Sequence, residues 1–536
     1  MRQSLAALLI LFASVVSGQI NIDVQTLGAV GNNSTVNTAF IQQAIDSVSN
    51  NGGGEVIING GTFISSTIRL KSNVTLRVTS GTTLKAVPNY ADFPDLPFNV
   101  RSWNDTYTTR CFIFAEDANH IRITGGGIID GNGTSFGYLS VSTKSRPIGL
   151  RLHEVDSLVI DSINLRQAPQ WMAVIFDCSN VYINRVTVYN QCFGSNDGID
   201  IDCCRNVLVE NSNFDTNDDP IPVKTHAFSI CRDVLIRNCT MATYERAVKV
   251  GNEVIGPLVN IRFQNIVVNA SSFSLPIVPL NAIYCAIADG GSMDSIYFEN
   301  IQVNTPSQIP IFVRLCDRGN HYDTFPHPTV KYLKNVWFKN ISATSSTTIP
   351  CSVTGIPGHT VENINFENVV ITVPGNGPAV TGNVPELEST RPEGDIWGDS
   401  LPVYGLYVHH VNGLHLDSFC VIEQHADVRP LYYFEDTTNV VRLNECSNNV
   451  SGIQDISENE WKVYPNPVDD LLNINNIPTS VEEFILWTST GSRVLALNSK
   501  NKQQFNVNVS SMPAGIYFLS LISNGYTSSQ KVIIAH

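Results

Sequence analysis

The sequence predicts an all-β protein whose main body is a right-handed parallel β-helix, with one capping helix before it and a small β-sandwich after it. Three observations predict this architecture: one helical periodicity near the N-terminus, a short alternating phrase that recurs through the middle, and a second series of short strands beyond a polar linker. The composition agrees, because only 15% of the residues are charged and 43% are hydrophobic. Asn, Ser, Thr and Gly must then supply much of the polar surface, which favours strands and turns.

The first eighteen residues have the pattern of a secretory signal peptide. Arg2 supplies the positive end, an apolar run extends from Leu5 to Val16, and Ser17 and Gly18 suit a cleavage site. The run is shorter than the roughly 20 apolar residues that span a membrane. We therefore expect a secreted chain that begins at residue 19 and has no transmembrane segment.

A single amphipathic helix is predicted in the segment NTAFIQQAIDSVSNNGGG, residues 37–54. Its apolar residues recur at helical spacing, and the glycines that follow suit a helix C-terminus. These apolar residues are Phe40, Ile41, Ala44, Ile45 and Val48. Because an uncovered terminal coil exposes a sheet edge, we expect the helix to cover the first coil of the β-helix.

An alternating phrase recurs eight times through the middle of the chain, as in NVLVENSNF from Asn206 and NVWFKNISA from Asn335. Alternation with period two is typical of a strand with one buried face. A turn residue lies near the middle of each copy: Ser162, Arg185, Asn211, Asn238, Asn265, Asn300, Asn340 and Asn368. The steps between these positions are 23, 26, 27, 27, 35, 40 and 28 residues. A unit this short cannot bury its apolar face alone, so successive copies must stack, as the coils of a β-helix do.

Carboxylates cluster in two neighbouring copies of the repeat. GSNDGIDIDCC contains Asp197, Asp200 and Asp202, and DTNDDPIPVK contains Asp218 and Asp219. Asp197 and Asp218 are 21 residues apart, about one coil, which places them on adjacent coils. Since Asp is also an ordinary turn residue, we interpret Asp200 and Asp202 as part of a solvated face.

From VQTLGAVGNN through IRITGGGIIDGNG and on to about residue 445, the chain resembles glycoside hydrolase family 28, the polygalacturonases. That family carries its hydrolytic carboxylates in an Asn-Thr-Asp-Gly motif and in an Asp-Asp pair on the next coil. Here the first motif reads Asn196-Asp197-Gly198, without the Thr, and the second is Asp218-Asp219. The resemblance implies inverting hydrolysis, with Asp218 as general acid and with Asp197 and Asp219 holding the attacking water.

Two departures from the family pattern concern substrate recognition. The stretch TYERAVKVG stands where the family has Gly-His-Gly, and NAIYCAIADGG shows no counterpart of the family's Arg-Ile-Lys. An acidic sugar still fits, because cationic side chains are plentiful nearby and an Arg fork binds carboxylates. The candidate substrate-binding residues are Lys224, His226, Tyr244, Glu245, Arg246, Lys249, Arg314 and Arg318; Trp171 and Tyr284 are further candidates for packing on a sugar ring.

After a polar linker at residues 447–460, residues 461–536 predict a β-sandwich, with short strands separated by turns every eight to twelve residues. Tyr464-Pro465-Asn466-Pro467, Gly515-Ile516-Tyr517 and the terminal QKVIIAH resemble the C-terminal sorting domain of the type IX secretion system. A carbohydrate-binding sandwich is the alternative. The resemblance implies the type IX machinery as a partner and a bacterial protein that is extracellular or held on the outer-membrane surface. The catalytic domain would then span residues 19–446.

Other partners and cofactors are constrained by charge and by cysteine and histidine spacing. A net charge of −15 argues against nucleic acid. No CxxC pair or His-rich tract gives zinc spacing, so we expect no metal and no cofactor. We expect a monomer. Two rival functions stay open: a β-helix polysaccharide lyase that holds Ca²⁺ with the same aspartates, and a glycan-binding β-helix without catalysis.

Overall fold

The structure, a computed structural model, describes residues 19–96, 108–135, 146–272, 278–318, 329–381, 383–446, 461–477, 483–488, 493–498, 504–523 and 526–535. The expected signal peptide (1–18) and linker (447–460) lie outside these residues. The chain divides into two compact units, 1–448 and 449–536.

The first unit contains one α-helix within its described residues, α1 (Thr38–Asn50), and short 3₁₀ turns at Val24–Leu27, Tyr90–Asp92, Gly133–Ser135 and Gly398–Ser400. Its strands are β1 (Ile20–Asp23), β2 (Asn32–Val36), β3 (Gly54–Ile58), β4 (Gly61–Ser65), β5 (Ile68–Arg69), β6 (Val74–Val78), β7 (Thr82–Ala86), β8 (Cys111–Thr124), β9 (Ile128–Asp130), β10 (Ile148–Arg166), β11 (Ala173–Phe176), β12 (Ser179–Asn190), β13 (Ile199–Asp202), β14 (Arg205–Glu210), β15 (Asn213–Thr216), β16 (Val223–Thr225), β17 (Cys231–Ala242), β18 (Arg246–Val254), β19 (Pro257–Val268), β20 (Asn281–Ile287), β21 (Gly291–Val303), β22 (Ile309–Leu315), β23 (Val330–Thr344), β24 (Cys351–Thr354), β25 (Val361–Val373), β26 (Leu406–Glu423) and β27 (Tyr432–Leu443).

These 27 strands form one continuous sheet in which each strand pairs in parallel with the strand of the next coil. The register follows the repeat: Phe263 pairs with Phe298, which pairs with Phe338, which pairs with Phe366. Their rings stack inside the coil, with centroids 6.0, 5.1 and 4.7 Å apart. The predicted parallel β-helix is confirmed, and its core is a column of like residues.

The turn residue of the repeat forms a ladder on the outside of the coils. The Nδ2 of Asn265, Asn300, Asn340 and Asn368 each donates to the Oδ1 of the Asn one coil before it, at 2.8–3.0 Å. Each has φ between 53° and 55°, the left-handed region that Asn enters more readily than most residues. The Asn therefore turns the chain and also joins adjacent coils.

The predicted helix is α1, and it covers the first coil. Ile41, Ala44, Ile45 and Val48 are fully buried in the same core as the coils, and Phe40 packs at its margin. Gly52 and Gly53 follow with φ of 89° and 119°, so the glycines end the helix as predicted. At the other end of the unit, a disulfide joins Cys420 of β26 to Cys446.

The second unit is a small antiparallel structure in its own right. Its strands are β28 (Lys462–Tyr464), β29 (Leu471–Asn475), β30 (Glu483–Thr488), β31 (Arg493–Asn498), β32 (Gln504–Asn508), β33 (Gly515–Ser523) and β34 (Tyr526–Ile534). They form a three-stranded and a four-stranded sheet that share one core, in which Trp461 is 1% exposed. The described residues include no helix that is both long enough and apolar enough for a membrane span.

The Asn ladder predicts that Asn300→Ala destabilises the β-helix by about 2–3 kcal/mol. The substitution removes two side-chain amide hydrogen bonds. It also puts alanine in the left-handed region, where its Cβ is strained and its side chain can form no local hydrogen bond. Asn300→Gly loses the same bonds but tolerates the backbone, so it should cost about 1 kcal/mol. Urea unfolding followed by circular dichroism measures both. Equal losses for the two variants would contradict a role for the backbone conformation.

Candidate active site

Adjacent coils bring Asp197 beside Asp218 and Asp219. Asp197 lies two residues before β13, and the Asp pair lies shortly before β16, the strand stacked on β13. The Gly198 amide donates to the Asp219 carbonyl at 2.9 Å, and the Asp218 amide donates to the Asn196 carbonyl at 3.3 Å. The three predicted carboxylates therefore lie on two neighbouring coils, as the 21-residue spacing predicts.

The backbone around Asp197 is held by buried amides. Asn190 Nδ2 donates to the Asp197 carbonyl at 2.9 Å. Asn196, which stands where the resemblance expects Thr, donates from Nδ2 to the carbonyls of Ala168 and Gln170 at 2.9 and 2.8 Å. A Cβ at Gly198 would lie 2.2 Å from the Pro220 carbonyl oxygen, so only glycine fits this position. The Asn-Asp-Gly stretch is thus a fixed part of the coil.

Asp219 lies against two cations. Lys249 Nζ forms an ion pair with Asp219 Oδ2, and Arg246 Nη1 is 3.7 Å from Oδ1. Burial alone would raise the pKa of Asp219, but the charges of Lys249 and Arg246 outweigh it and hold the pKa below its usual value. Asp219 is therefore the ionised member of the group.

Asp218 and Asp197 behave in the opposite way. Burial, followed by the negative charge of Asp219, raises the pKa of Asp218 to about 7. Burial, followed by the charges of Asp218 and Asp200, raises the pKa of Asp197 well above its usual range. One small region therefore holds two carboxyl groups with a raised pKa, of which Asp218 titrates near neutral pH, and one carboxylate with a lowered pKa. Acid/base chemistry requires such a combination.

Asp200 and Asp202 are fully buried, so their interpretation as a solvated face is wrong. They lie on β13, between β11 and β16, and their charges are met by residues of the next coil. Lys224 Nζ is 2.7 Å from Asp200 Oδ2 and 3.7 Å from Asp197 Oδ2. His226 contacts Asp202 twice, through its backbone amide at 2.9 Å and through Nδ1 at 2.7 Å. Period-two alternation alone could not show that this outward face is covered.

Glu253 is a charged group that sequence reasoning missed. Burial would raise its pKa, but Lys249, Lys224, His226 and Arg318 hold the pKa well below its usual value. Arg318 grips Asp289 through two 2.6 Å contacts and lies 3.5 Å from Glu253 Oε1. Glu253 links these predicted binding residues into one network. Its surroundings, VGNEV, have no feature that separates it from a surface turn.

A distant stretch of chain, residues 383–401 between β25 and β26, packs over the outer side of the coils and reaches this network. Glu393 forms an ion pair with Arg246, 147 residues away in sequence. The hydroxyl of Tyr284 donates to the Pro392 carbonyl at 2.6 Å, and Tyr284 is fully buried, which removes it as a surface for a sugar ring. We call this stretch the 383–401 segment.

Three predicted binding residues lie at the margin of the carboxylate group or away from it. Arg314 is fully buried, and its Nη2 donates to the carbonyls of Glu386 and Leu387 at 2.8 and 2.9 Å, which fastens the 383–401 segment. Glu245 is half-exposed and lies 3.0 Å from Arg246. Tyr244 is half-buried, and burial followed by the charge of Asp215 raises its pKa. A substrate contact for these residues stays a prediction.

The ion pairs also bear on the Ca²⁺ alternative. Calcium is bound by several carboxylate and carbonyl oxygens at once. Here Lys224 lies between Asp197 and Asp200, and Lys249 lies on Asp219, so ammonium groups stand where a cation would be needed. The charge distribution therefore does not favour calcium at these aspartates.

Lys224→Met is predicted to destabilise the β-helix by about 3–5 kcal/mol, because it leaves Asp200 buried without its partner. The double variant Lys224→Met/Asp200→Asn removes both charges and should recover a large part of that loss. Urea unfolding of the single and double variants measures the difference. A single variant as stable as the wild type would show that the pair contributes nothing.

Comparison with known proteins gives the family. Residues 55–390 match the model of glycosyl hydrolases family 28, and residues 462–535 match that of a secretion system C-terminal sorting domain. The chain is 24% identical over 389 residues to a probable polygalacturonase of Vitis vinifera, covering 67% of this chain and 76% of that protein. It is also 24% identical over 389 residues to an exo-poly-alpha-D-galacturonosidase of Dickeya chrysanthemi, covering 61% of this chain and 62% of that protein.

Among solved structures, the family 28 exopolygalacturonase of Yersinia enterocolitica has the same fold, with a TM-score of 0.61 at 17% identity over 80% of this chain and 79% of that one. Both resemblances stated from the sequence, to the hydrolase family and to the type IX sorting domain, are confirmed. The lyase alternative is not favoured, because the matched family consists of hydrolases. This chain belongs to glycosyl hydrolases family 28, and its C-terminal sorting domain makes it a secreted or cell-surface hydrolase.

Proposed function

We propose that this protein hydrolyses glycosidic bonds in an acidic polysaccharide of the pectic class, outside the cell, by an inverting acid/base mechanism. The observation that carries the proposal is the approach of Asp197, Asp218 and Asp219 on two neighbouring coils, with Lys249 ion-paired to Asp219. The pKa directions agree: raised for Asp218 and Asp197, lowered for Asp219. The relatives are named as enzymes that act on polygalacturonans, and these names support the proposed substrate class.

Asp218 is the proposed general acid. With a pKa of about 7 it keeps its proton through mildly acidic conditions, and it is half-buried, so a substrate can reach it. It gives that proton to the oxygen that leaves as the glycosidic bond breaks. The Thr243 hydroxyl, which donates to the Asp218 carbonyl at 2.6 Å, fixes the backbone from which the acid projects.

Asp219 is the proposed base. Its carboxylate takes a proton from the water that attacks the anomeric carbon on the face opposite the leaving oxygen, so the configuration inverts. Asp197, on the neighbouring coil, is the second hydrogen-bond partner of that water. The ion pair of Asp219 with Lys249 keeps the base ionised in the presence of two carboxyl neighbours.

The cations of the network support an anionic substrate. Lys224, Lys249, Arg246 and Arg318 are all buried or nearly so, and each is paired with a carboxylate of the protein. The carboxylate of a galacturonate unit would be one more negative charge among these cations. We propose that Lys224, His226, Arg246 and Lys249 contact the sugar nearest the reacting bond, in place of the family's Gly-His-Gly and Arg-Ile-Lys residues.

The C-terminal domain directs export and takes no part in catalysis in this proposal. The monomeric state expected from the sequence stays a prediction, which light scattering of the purified chain would measure.

Asp218→Asn is predicted to lower hydrolysis of polygalacturonate by about 10²–10⁴-fold, because an amide cannot supply the proton. Product analysis by NMR should show saturated sugars of inverted configuration from the wild type. Asp215→Asn is the matched control: its carboxylate lies three residues earlier and binds Ser271 and Ser272, so this variant should stay active.

Unchanged activity in Asp218→Asn would contradict the acid assignment. Unsaturated products would indicate a lyase, and binding of the polysaccharide without cleavage would indicate a glycan-binding protein.

Lys249→Met is predicted to move the pH–activity profile to higher pH on both limbs. The acidic limb reports the base Asp219 and the basic limb reports the acid Asp218, and Lys249 lowers the pKa of both. The rate at the optimum should also fall. The profile of kcat/KM between pH 4 and 9 (about five units, wide enough for both limbs) measures the shift. A profile that moves to lower pH, or one limb only moving, would contradict the assignment.

A further inference from the structure

A second group of side chains with potential chemistry lies far along the β-helix from the aspartates. His409 and His410 are adjacent residues of β26, and their rings stack with centroids 3.9 Å apart. Strand by strand, β26 is the fifth neighbour of β16, which carries Lys224, so about 24 Å of stacked coils separates the two sites. The histidine pair therefore does not belong to the carboxylate group.

Two successive residues of a regular strand point to opposite faces of the sheet. His410 departs from that rule, because its φ of 53° is left-handed and turns both imidazoles to the same side. The rings are about nine-tenths buried. The backbone thus brings together two ligating side chains that period-two alternation would separate.

Each ring is oriented by a partner at Nδ1. His410 Nδ1 is 2.5 Å from Asp436 Oδ2, one coil on, and His409 Nδ1 is 3.3 Å from the hydroxyl of Tyr407. A carboxylate at the far nitrogen is the usual second partner of a histidine that binds a metal. These contacts leave the Nε2 atoms of both rings for another ligand.

The two Nε2 atoms converge on Glu386 of the 383–401 segment. His410 Nε2 lies 3.3 and 3.2 Å from the two carboxylate oxygens of Glu386, and His409 Nε2 lies 3.7 Å from Oε1. Glu435 Oε2 approaches His409 Nε2 to 4.0 Å. Ligands about 2.0–2.1 Å from a tetrahedral Zn²⁺ are about 3.3 Å from one another. His410 and Glu386 already have this spacing, and the ligand atoms of Glu386, His409 and His410 all lie within 4.8 Å of one another. The His409–Glu386 and His409–Glu435 separations are longer and would shorten on binding an ion.

We propose that His409, His410 and Glu386, with Glu435 as the fourth ligand, bind a divalent transition metal of the Zn²⁺ class. Imidazole nitrogen with carboxylate oxygen is the ligand set that such ions select. A metal at this site departs from the expectation of no metal, which rests on the absence from the sequence of a CxxC pair or His-rich tract with zinc spacing.

The position of Glu386 gives the metal a structural task. The backbone carbonyls of Glu386 and Leu387 already accept hydrogen bonds from Arg314. A metal on the Glu386 side chain would join the 383–401 segment to β26 as well. The same segment includes Glu393, which forms the ion pair with Arg246. The metal therefore fastens the part of the chain that completes the charge network, and the metal site itself does not depend on the proposed hydrolysis.

Metal content tests the proposal directly. Untagged full-length protein is stripped with a chelator, dialysed against Zn²⁺ and then against metal-free buffer, and the retained zinc is counted by mass spectrometry. We expect one Zn²⁺ per wild-type chain and loss of that ion in His410→Ala and in Glu386→Gln. The matched control is His415→Ala, a half-buried histidine of the same strand, which should retain the ion.

Titration with Co²⁺ adds a spectroscopic readout. A tetrahedral site gives visible absorption on binding, and Asp436→Asn, which changes only the partner at His410 Nδ1, should weaken the affinity by about 10–100-fold. Glu386→Gln keeps its backbone contacts to Arg314, so its circular dichroism should match the wild type. Failure of the wild type to retain Zn²⁺, or equal retention by Glu386→Gln and wild type, would overturn the proposal.

Limited proteolysis tests the structural task. Zn²⁺ should protect the 383–401 segment of the wild type from cleavage and should give no protection to His410→Ala. Zinc retained by the wild type without any such protection would overturn the fastening of the segment.

Discussion

Both candidate sites of the first unit depend on one constraint, the parallel stacking of coils at about 4.8 Å with side chains in register. A residue on one coil meets its register partner on the next whether the two are 22 or 55 residues apart, as Asp202 meets Lys224 and Thr354 meets His409. Like residues then form columns. In the interior this gives the Phe263 to Phe366 stack, and at the turns it gives the Asn ladder. On the outer face, a column of carboxylates would repel itself unless cations alternate with it.

In the candidate active site, cations placed among the carboxylates offset that repulsion. Asp197, Asp200, Asp218 and Asp219 occupy two coils, and Lys224, Arg246 and Lys249 come from the same coils and the next. The distribution of these cations is uneven: Asp219 has two of them and Asp218 has no ion pair of its own among those described. That unevenness, more than burial, separates the pKa of the proposed base from that of the proposed acid.

What the sequence could predict follows from the same geometry. The repeat phrase, the helix at residues 38–50 and the adjacency of Asp197 to Asp218 and Asp219 are all local patterns or whole-coil spacings, and they could be read directly. The partners that come from outside the repeat could not be predicted from the sequence. Glu393 and Glu386 belong to a segment without strands. From the sequence, Asp200 is interpreted as solvated, because an alternation of period two does not indicate what covers an outward face. Glu253 and the His409–His410 pair depend on left-handed residues at or beside them, Asn252 and His410, which interrupt alternation.

The 383–401 segment shows how a β-helix acquires function without altering its coils. The segment packs through apolar side chains on an outward cluster formed by Tyr284, Phe312 and Tyr407, so apolar burial holds it in place. The apolar side chains of the segment are Val384, Leu387, Ile396, Trp397 and Leu401. Arg314 adds a guanidinium stacked 4.8 Å from Trp397 and bonded to the Glu386 and Leu387 carbonyls. Charged ends then project on either side, Glu393 toward Arg246 and Glu386 toward the histidines. Arg246 and His410 lie on strands four pairings apart, so one segment of chain contacts both the carboxylate network and the histidine pair.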